Sequence, residues 1–269
     1  MSALRQALRR YIGTHRQSPL VRAALRASRF VSDAYTNANI DDGDNGEHAL
    51  VARLAPAAFE VVLDAGANVG AWTVAALAAW PRAAVHAFEV SPLTAGQCAR
   101  AIARAGLSSR VTLSSCGLSD RDEMATMYYF PDAPDLTCDM PRHEGRRVVA
   151  FEAALRRGDG YLAEAGITSV DFLKVDVEGA EHRVLDGFSA ALDDSRIHCI
   201  QFEYGAFATQ TRVLIKDFYA RLGERYWLGK LYASAVEFQD YDWTLEGFAF
   251  ANFVAVSKRR PDLKALAAG

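Results

Sequence analysis

Apolar and polar positions along this chain follow two rhythms. Leu4, Leu8, Tyr11 and Ile12 share one helical face, Pro19 interrupts, and Leu20, Val21, Ala24 and Leu25 resume the spacing. Residues 1–32 therefore read as one or two short helices. Residues 33–47 (DAYTNANIDDGDNGE) are polar and turn-forming and predict a loop, and His48–Leu54 predicts a short amphipathic helix before Pro56. From Val61 onward, short apolar runs alternate with longer helical stretches. The runs Val61–Ala65, Ala84–Phe88, Val111–Cys116, Val170–Asp176 and Ile197–Phe202 read as strands. Val69–Trp80, Pro92–Gly106, Ala180–Leu192 and Val213–Leu222 read as the helices between and after them.

Strands alternating with helices of about 10 to 15 residues imply right-handed βαβ units and a parallel sheet covered on both faces. The expected class is α/β, a doubly wound and mostly parallel sheet with a helical N-terminal extension. Beyond residue 223, Tyr226–Phe238 and Phe248–Ser257 follow without an intervening helix and predict an antiparallel hairpin at a sheet edge. Asp122–Gly160, with Pro131, Pro134, Pro141, His143 and many charges, reads as an irregular insertion over one end of the sheet. The expected organisation is a basic extension and polar loop over 1–47, one domain over 48–260 and a tail over 261–269.

Composition narrows the class. With 269 residues, 51% hydrophobic and 23% charged, the chain can bury a sizeable core, and disordered or collagen-like classes are excluded. The longest uninterrupted apolar run, Val74–Pro81, is far short of the roughly 18 residues a membrane span needs. A net charge of −3 gives no support for nucleic-acid binding. That average hides an asymmetry: residues 1–30 carry seven arginines and no acid. The arginines can serve a solvated or partner-packing helical face, including a homo-oligomer contact, an anionic acceptor, or a membrane-surface anchor. The four cysteines (Cys98, Cys116, Cys138, Cys199) are widely spaced without a CxxC pair, which fits a reducing, cytoplasmic setting.

Candidate chemistry clusters at strand ends, where open α/β sheets bind ligands. The first strand runs into Asp64-Ala65-Gly66-Ala67-Asn68-Val69-Gly70, a turn in which Gly66 and Gly70 let backbone approach a ligand. Asn68 stands where a dinucleotide loop has its second glycine, so a pyrophosphate fits poorly. Asp64 suits a cationic ligand. Glu89, at the end of the second strand, is placed to accept hydrogen bonds from both ribose hydroxyls. A ligand with a ribose, a positive group and no phosphates describes S-adenosylmethionine. Two rival readings are a catalytically idle Rossmann-type scaffold that binds cofactor or partner, and an NAD-dependent oxidoreductase; Asn68 argues against the latter.

The stretches DAGANVGAWT (64–73), HAFEVS (86–91), GLSD (117–120) and FLKVDVEGAEHRVLDG (172–187) resemble the FkbM-type family of S-adenosylmethionine-dependent methyltransferases over roughly residues 44–257. The resemblance implies a Rossmann-like class I methyltransferase that O-methylates a hydroxyl on a glycan, polyketide or other small secondary-metabolite acceptor. Carried onto this chain, it implies that Asp64, Gly66, Asn68 and Gly70 surround the methionine part and that Glu89 holds the ribose. Gly117, Leu118 and Asp120 would border the adenine, and Asn45 with Glu47 would cover the methionine end as a lid.

Methyl transfer to a hydroxyl needs alignment and a base. The base candidates are Asp176, Glu178, Glu181, His182 and Glu203, all at or just beyond strand ends. Against a catalytic role, Glu178 and Glu181 can complement the dipole of the following helix, and Asp176 can form a structural ion pair with Lys174. Clustered carboxylates with His182 are an alternative seat for a divalent cation that orients a diol, but the spacing matches no dedicated metal motif and no metal is assigned. Trp72, Tyr204 and Phe207 are candidates to line the sulfonium or acceptor pocket.

Overall fold

A computed structural model describes residues 2–41, 43–141 and 145–269; His143 lies outside them. The chain opens with α1 (Ala3–Thr14) and α2 (Pro19–Tyr35), then α3 (Glu47–Leu54). The core follows as β1 (Val61–Ala65), α4 (Ala71–Ala79), β2 (Ala84–Phe88), α5 (Pro92–Arg104), β3 (Val111–Ser114), β4 (Gly117–Ser119), β5 (Glu123–Tyr129) and β6 (Val149–Arg157). It continues as α6 (Gly158–Glu164), β7 (Val170–Val175), α7 (Glu181–Gly187), α8 (Ser189–Asp193) and β8 (Ile197–Tyr204). The last part holds α9 (Ala208–Thr211), α10 (Ile215–Leu222), β9 (Tyr226–Leu231), β10 (Val236–Phe238), β11 (Ala251–Ser257) and α11 (Pro261–Ala268).

Eight strands form the main sheet in the order β10-β9-β11-β8-β7-β1-β2-β3. The pairs β1–β2, β2–β3, β1–β7 and β7–β8 are parallel. The order reverses between β1 and β7, and that switch opens a crevice beyond their carboxyl ends. Apolar clusters cover both faces. One packs Leu173, Ile200 and Phe202 under α7 and α10; the other packs Phe59, Trp72, Trp80 and Phe172 beneath α3 and α4.

The α/β, doubly wound and mostly parallel expectation holds, with three local corrections. The C-terminal strands do not form a simple edge hairpin. The expected segments do pair antiparallel, as β9 with β11, but β11 lies inside the sheet between β8 and β9, and the edge is the short hairpin of β9 and β10 within Tyr226–Phe238. All seven residues of β11 are buried, a demand that only an interior strand meets.

The 122–160 segment holds regular strands at both ends among its described residues. β5 and β6 pair antiparallel over Glu123–Tyr129, and with β4 they form a second, three-stranded sheet in the order β4-β6-β5. The prolines sit in the connection, outside the strands, so the alternating burial in β6 was masked by charges on its exposed face. Finally, residues 261–268 are a helix whose Leu263 and Ala267 are buried in the cluster with Leu50 and Leu54.

Candidate active site

The crevice at the switch point has two halves. Gly66, Asn68, Phe88, Glu89, Gly117 and Leu118 line the first, closed by Met127 and Leu155 of the second sheet. Glu47, Trp72, Lys174, Asp176, Glu203 and Phe207 line the other. Gly66, Asn68, Asp135, Asp176 and Glu178 border both, which makes them one continuous cleft.

Backbone geometry builds the first half. Gly66 has φ +88°, and a Cβ there would lie 1.8 Å from the Asp176 carbonyl oxygen, so only glycine lets β1 turn this close to β7. Asn68 also adopts a left-handed φ of 47°. Its backbone N–H donates to Glu89 Oε2 at 2.9 Å, while Ser91 N–H donates to Oε1 at 2.8 Å. Glu89 is thereby fixed at the cleft wall with lone pairs left on both oxygens. Burial raises its pKa.

Side chains build the second half. Lys174 Nζ lies 2.7 Å from Asp176 Oδ2 and 3.8 Å from Glu47 Oε2, and 5.9 Å from the Trp72 ring centre. Glu47 Oε1 accepts from Asn45 Nδ2 at 2.9 Å and from Asn252 Nδ2 at 3.0 Å, and Gln201 Nε2 donates to Asn252 Oδ1 at 3.3 Å. Asn45, Glu47, Lys174, Gln201 and Asn252 of this polar chain are buried, with Asp176 at its half-exposed end, and together they join α3, β7, β8 and β11. Asp176, Glu178 and Glu203 bring one oxygen each within 4.8 Å of one another.

Like charges at that separation cannot all ionise, and the environments sort them. Burial opposes ionisation of Asp176, but the Lys174 ammonium outweighs it and holds the carboxyl below the usual range. Burial, reinforced by Asp176, Glu178 and Glu181, holds Glu203 well above that range. Glu203 hydrogen-bonds to Asp176. The two shifts are opposed, so a proton shared by the pair favours Glu203 over Asp176, and Asp176 borders the cleft. Glu178 carries a left-handed φ of 58°, an uncommon conformation for a non-glycine residue that turns the chain from β7 towards α7.

Several expected residues fall elsewhere. Asp64 is fully buried behind the loop, accepts from the Thr73 hydroxyl, and lines neither half. Gly70 likewise lies outside the cleft, with φ +85° and Cys98 Sγ 2.9 Å from where a Cβ would be. Both position the loop without contacting the space inside it. Asp120 turns to Ser119 Oγ at 3.0 Å and lies 3.8 Å from Arg183 Nε; Arg183 itself reaches the cleft.

His182 lines an adjoining small hollow, with Glu181 and Glu203, and not the cleft. Glu181 accepts backbone N–H groups of Val177 and Gly179, each at 3.1 Å, and so braces the turn after β7. Tyr204 is committed to Glu246. Glu47 and Asn45 are buried and tied to β11, so they form a fixed wall and not a lid. Met127, Leu155, Asp135, Asp139 and Arg183 line the first half unforeseen from the sequence; the alternation in β5 and β6 was the signal that could have found the first two.

S-adenosylmethionine fits the residues present. Among the described residues, Asn68 Oδ1 and Trp72 Nε1 are buried without hydrogen-bond partners, and both residues line the cleft. A bound ligand with polar groups would satisfy such atoms. The glycine cradle at Gly66, the fixed Glu89 and a carboxylate-rich second half match a neutral ribose followed by a cationic sulfonium and amine.

A doubly wound sheet with this glycine turn, this strand-end glutamate and this acidic rim is the architecture of a class I methyltransferase. The Methyltransferase FkbM domain profile matches residues 64–227, more than half of the chain, and the chain belongs to that family. It is 30% identical over 153 residues to the methyltransferase sdnD of Sordaria araneosa, covering 47% of this chain and 59% of that protein. It is 28% identical over 159 residues to the 31-O-demethyl-FK506 methyltransferase FkbM of Streptomyces tacrolimicus, covering 49% and 60%. The chain therefore spans under two thirds of the length of these relatives. Among solved structures, an FkbM methyltransferase from Methylobacillus flagellatus KT aligns with a TM-score of 0.48 at 14% identity, over 74% of this chain and 44% of that one.

Proposed function

We propose that this chain is an S-adenosylmethionine-dependent O-methyltransferase acting on a hydroxyl of a small, neutral acceptor such as a sugar, polyketide or related secondary metabolite. The observation that carries the reading is the division of one cleft into a nucleoside half and an acidic half that meet at Gly66 and Asp176. The family and the 31-O-demethyl-FK506 methyltransferase relative support transfer to oxygen.

In this reading Glu89 accepts the ribose hydroxyls, Gly117 and Leu118 border the adenine, and Asn68 and Trp72 satisfy their orphaned atoms at the methionine end. When bound, the cofactor supplies an electrophilic methyl on a sulfonium. The protein then has two tasks: alignment of the acceptor oxygen and removal of its proton. Asp176 is the base, because it is the ionised member of the Asp176–Glu203 pair and faces the cleft. Lys174, pinned by Glu47, holds the Asp176 carboxylate in place, and Glu203 keeps its proton and orients the same group. Phe207 and Trp72 exclude water from the acceptor side.

Isothermal calorimetry with S-adenosylmethionine tests the assignment. Wild type should bind, and Glu89→Ala should bind at least about tenfold more weakly, the value of one or two charge-assisted hydrogen bonds. Equal affinity would remove Glu89 from the site. A labelled-methyl screen over neutral polyols, macrolides and phosphorylated analogues then reads the acceptor, with transfer expected to the uncharged compounds.

A further inference from the structure

α1 and α2 contain no buried residue, although both are strongly one-sided. In α1, Leu4, Leu8 and Tyr11 share an exposed face, with Leu4 78% accessible, and Arg5, Arg9 and Arg10 occupy the remainder. In α2, Leu20, Val31 and Tyr35 lie together, with Tyr35 83% accessible, and Arg22, Arg26 and Arg29 lie on the opposite side. Contiguous exposed apolar surface of this kind marks an interaction site. At 12 and 17 residues, and with three arginines each, neither helix can cross a bilayer, and among the described residues no helix is long and apolar enough to do so.

We infer that α1 and α2 form a docking element for an anionic lipid surface, with the apolar faces inserted at the headgroup boundary and the arginines paired to lipid phosphates. Charge selects this occupant. Both helices combine an apolar face with a wholly or mainly cationic one, the combination that interfacial helices use, and the arginines complement the negative charge of an anionic lipid surface. Asp33, near the end of α2, is the single acid in residues 2–35.

The chain leaves α2 beside the cleft. Two residues after Tyr35, Asn37 Nδ2 donates to Asn45 O at 2.6 Å and to Leu231 O at 3.1 Å, and Ile40 lines the acidic half. Docking thus brings the cleft against the bilayer. The consequence that an acceptor is taken from a membrane surface rests on the proposed function; the lipid binding does not.

Flotation of the full chain with vesicles tests the inference. Binding is expected to phosphatidylcholine vesicles containing phosphatidylglycerol, to weaken as salt rises, and to be small for phosphatidylcholine alone. Arg5→Glu/Arg9→Glu/Arg10→Glu should weaken binding by roughly tenfold or more, and Leu4→Asp/Leu8→Asp should weaken it comparably. Unchanged thermal melting in both variants, expected for exposed positions, shows that the fold is retained. Absence of binding to the anionic vesicles, or equal binding to neutral ones, overturns the inference. So does a concentration-dependent dimer in ultracentrifugation that Leu8→Asp dissociates while vesicle binding persists. Calorimetry with S-adenosylmethionine is independent of all these outcomes and separates failure of the docking element from failure of the cofactor assignment.

Discussion

The two halves of the cleft are made of different material. The nucleoside half is a backbone construction: a glycine with no room for a methyl group, a left-handed Asn68, and a glutamate held by two backbone N–H groups. The acidic half is a side-chain construction, in which a buried lysine is held by two carboxylates and a third carboxyl is pushed well above its usual range by burial and its acidic neighbours. Backbone sites are rigid and tolerate little substitution, whereas charge networks are set by long-range balance and shift when one member changes. The first kind suits a cofactor that is always the same. The second suits chemistry that must move a proton.

The contrast predicts opposite kinds of failure. Gly66→Ala should have the largest effect, because its Cβ meets a backbone oxygen that cannot yield: cofactor binding should vanish in calorimetry, with stability reduced by about 3 kcal/mol or more in urea melts. Retained nanomolar-to-micromolar binding would show that the loop is not a rigid cradle.

Asp176→Asn should keep the cofactor and lose the chemistry. At saturating cofactor its turnover should fall by about 10² to 10⁴-fold, the usual value of a positioned base, with cofactor affinity changed by less than about threefold. Full turnover would assign proton removal to Glu203 or to no base.

The smallest effect probes the brace between the halves. Burial pushes the Glu181 carboxyl up to about 7, against an ordinary value of 4.5. Between those values the folded chain holds a proton that the unfolded chain has released, so stability falls as pH rises through this window and levels off above it. Glu181→Gln keeps an oxygen for the Val177 and Gly179 N–H groups and removes the titration. The difference between wild type and variant, in urea melts from pH 4.5 to 7.5, should change by an amount on the order of 3 kcal/mol or less. A constant difference would mean that Glu181 is ionised in the fold.

Much of this was legible before the fold was known, and unevenly so. β1, the 64–70 turn, β2 and Glu89 form one local unit of 29 residues, in which strand pattern, glycine positions and a strand-end carboxylate all point the same way. Asp176 and Glu203 were visible for the same reason, as carboxylates closing apolar strands. Asp64 closes β1 as expected but sits behind the loop, where one oxygen accepts from Thr73 and the other, Oδ1, is buried without a partner. His182 misled because one residue along the start of α7 decides between cleft and neighbouring hollow.

What the sequence alone determined are the features whose causes are local: the α/β class, the central strands and helices as they follow along the chain, the glycine turn, and the family to which these motifs belong. Tertiary structure alone decided the rest. Glu47 meets Asn252 across 205 residues of chain, β11 enters between β8 and β9, and the second sheet lends Met127 and Leu155 to the cleft. Each of these depends on which surfaces are left to bury once the sheet has formed, and on which buried charges then need partners, and neither is written in any one segment.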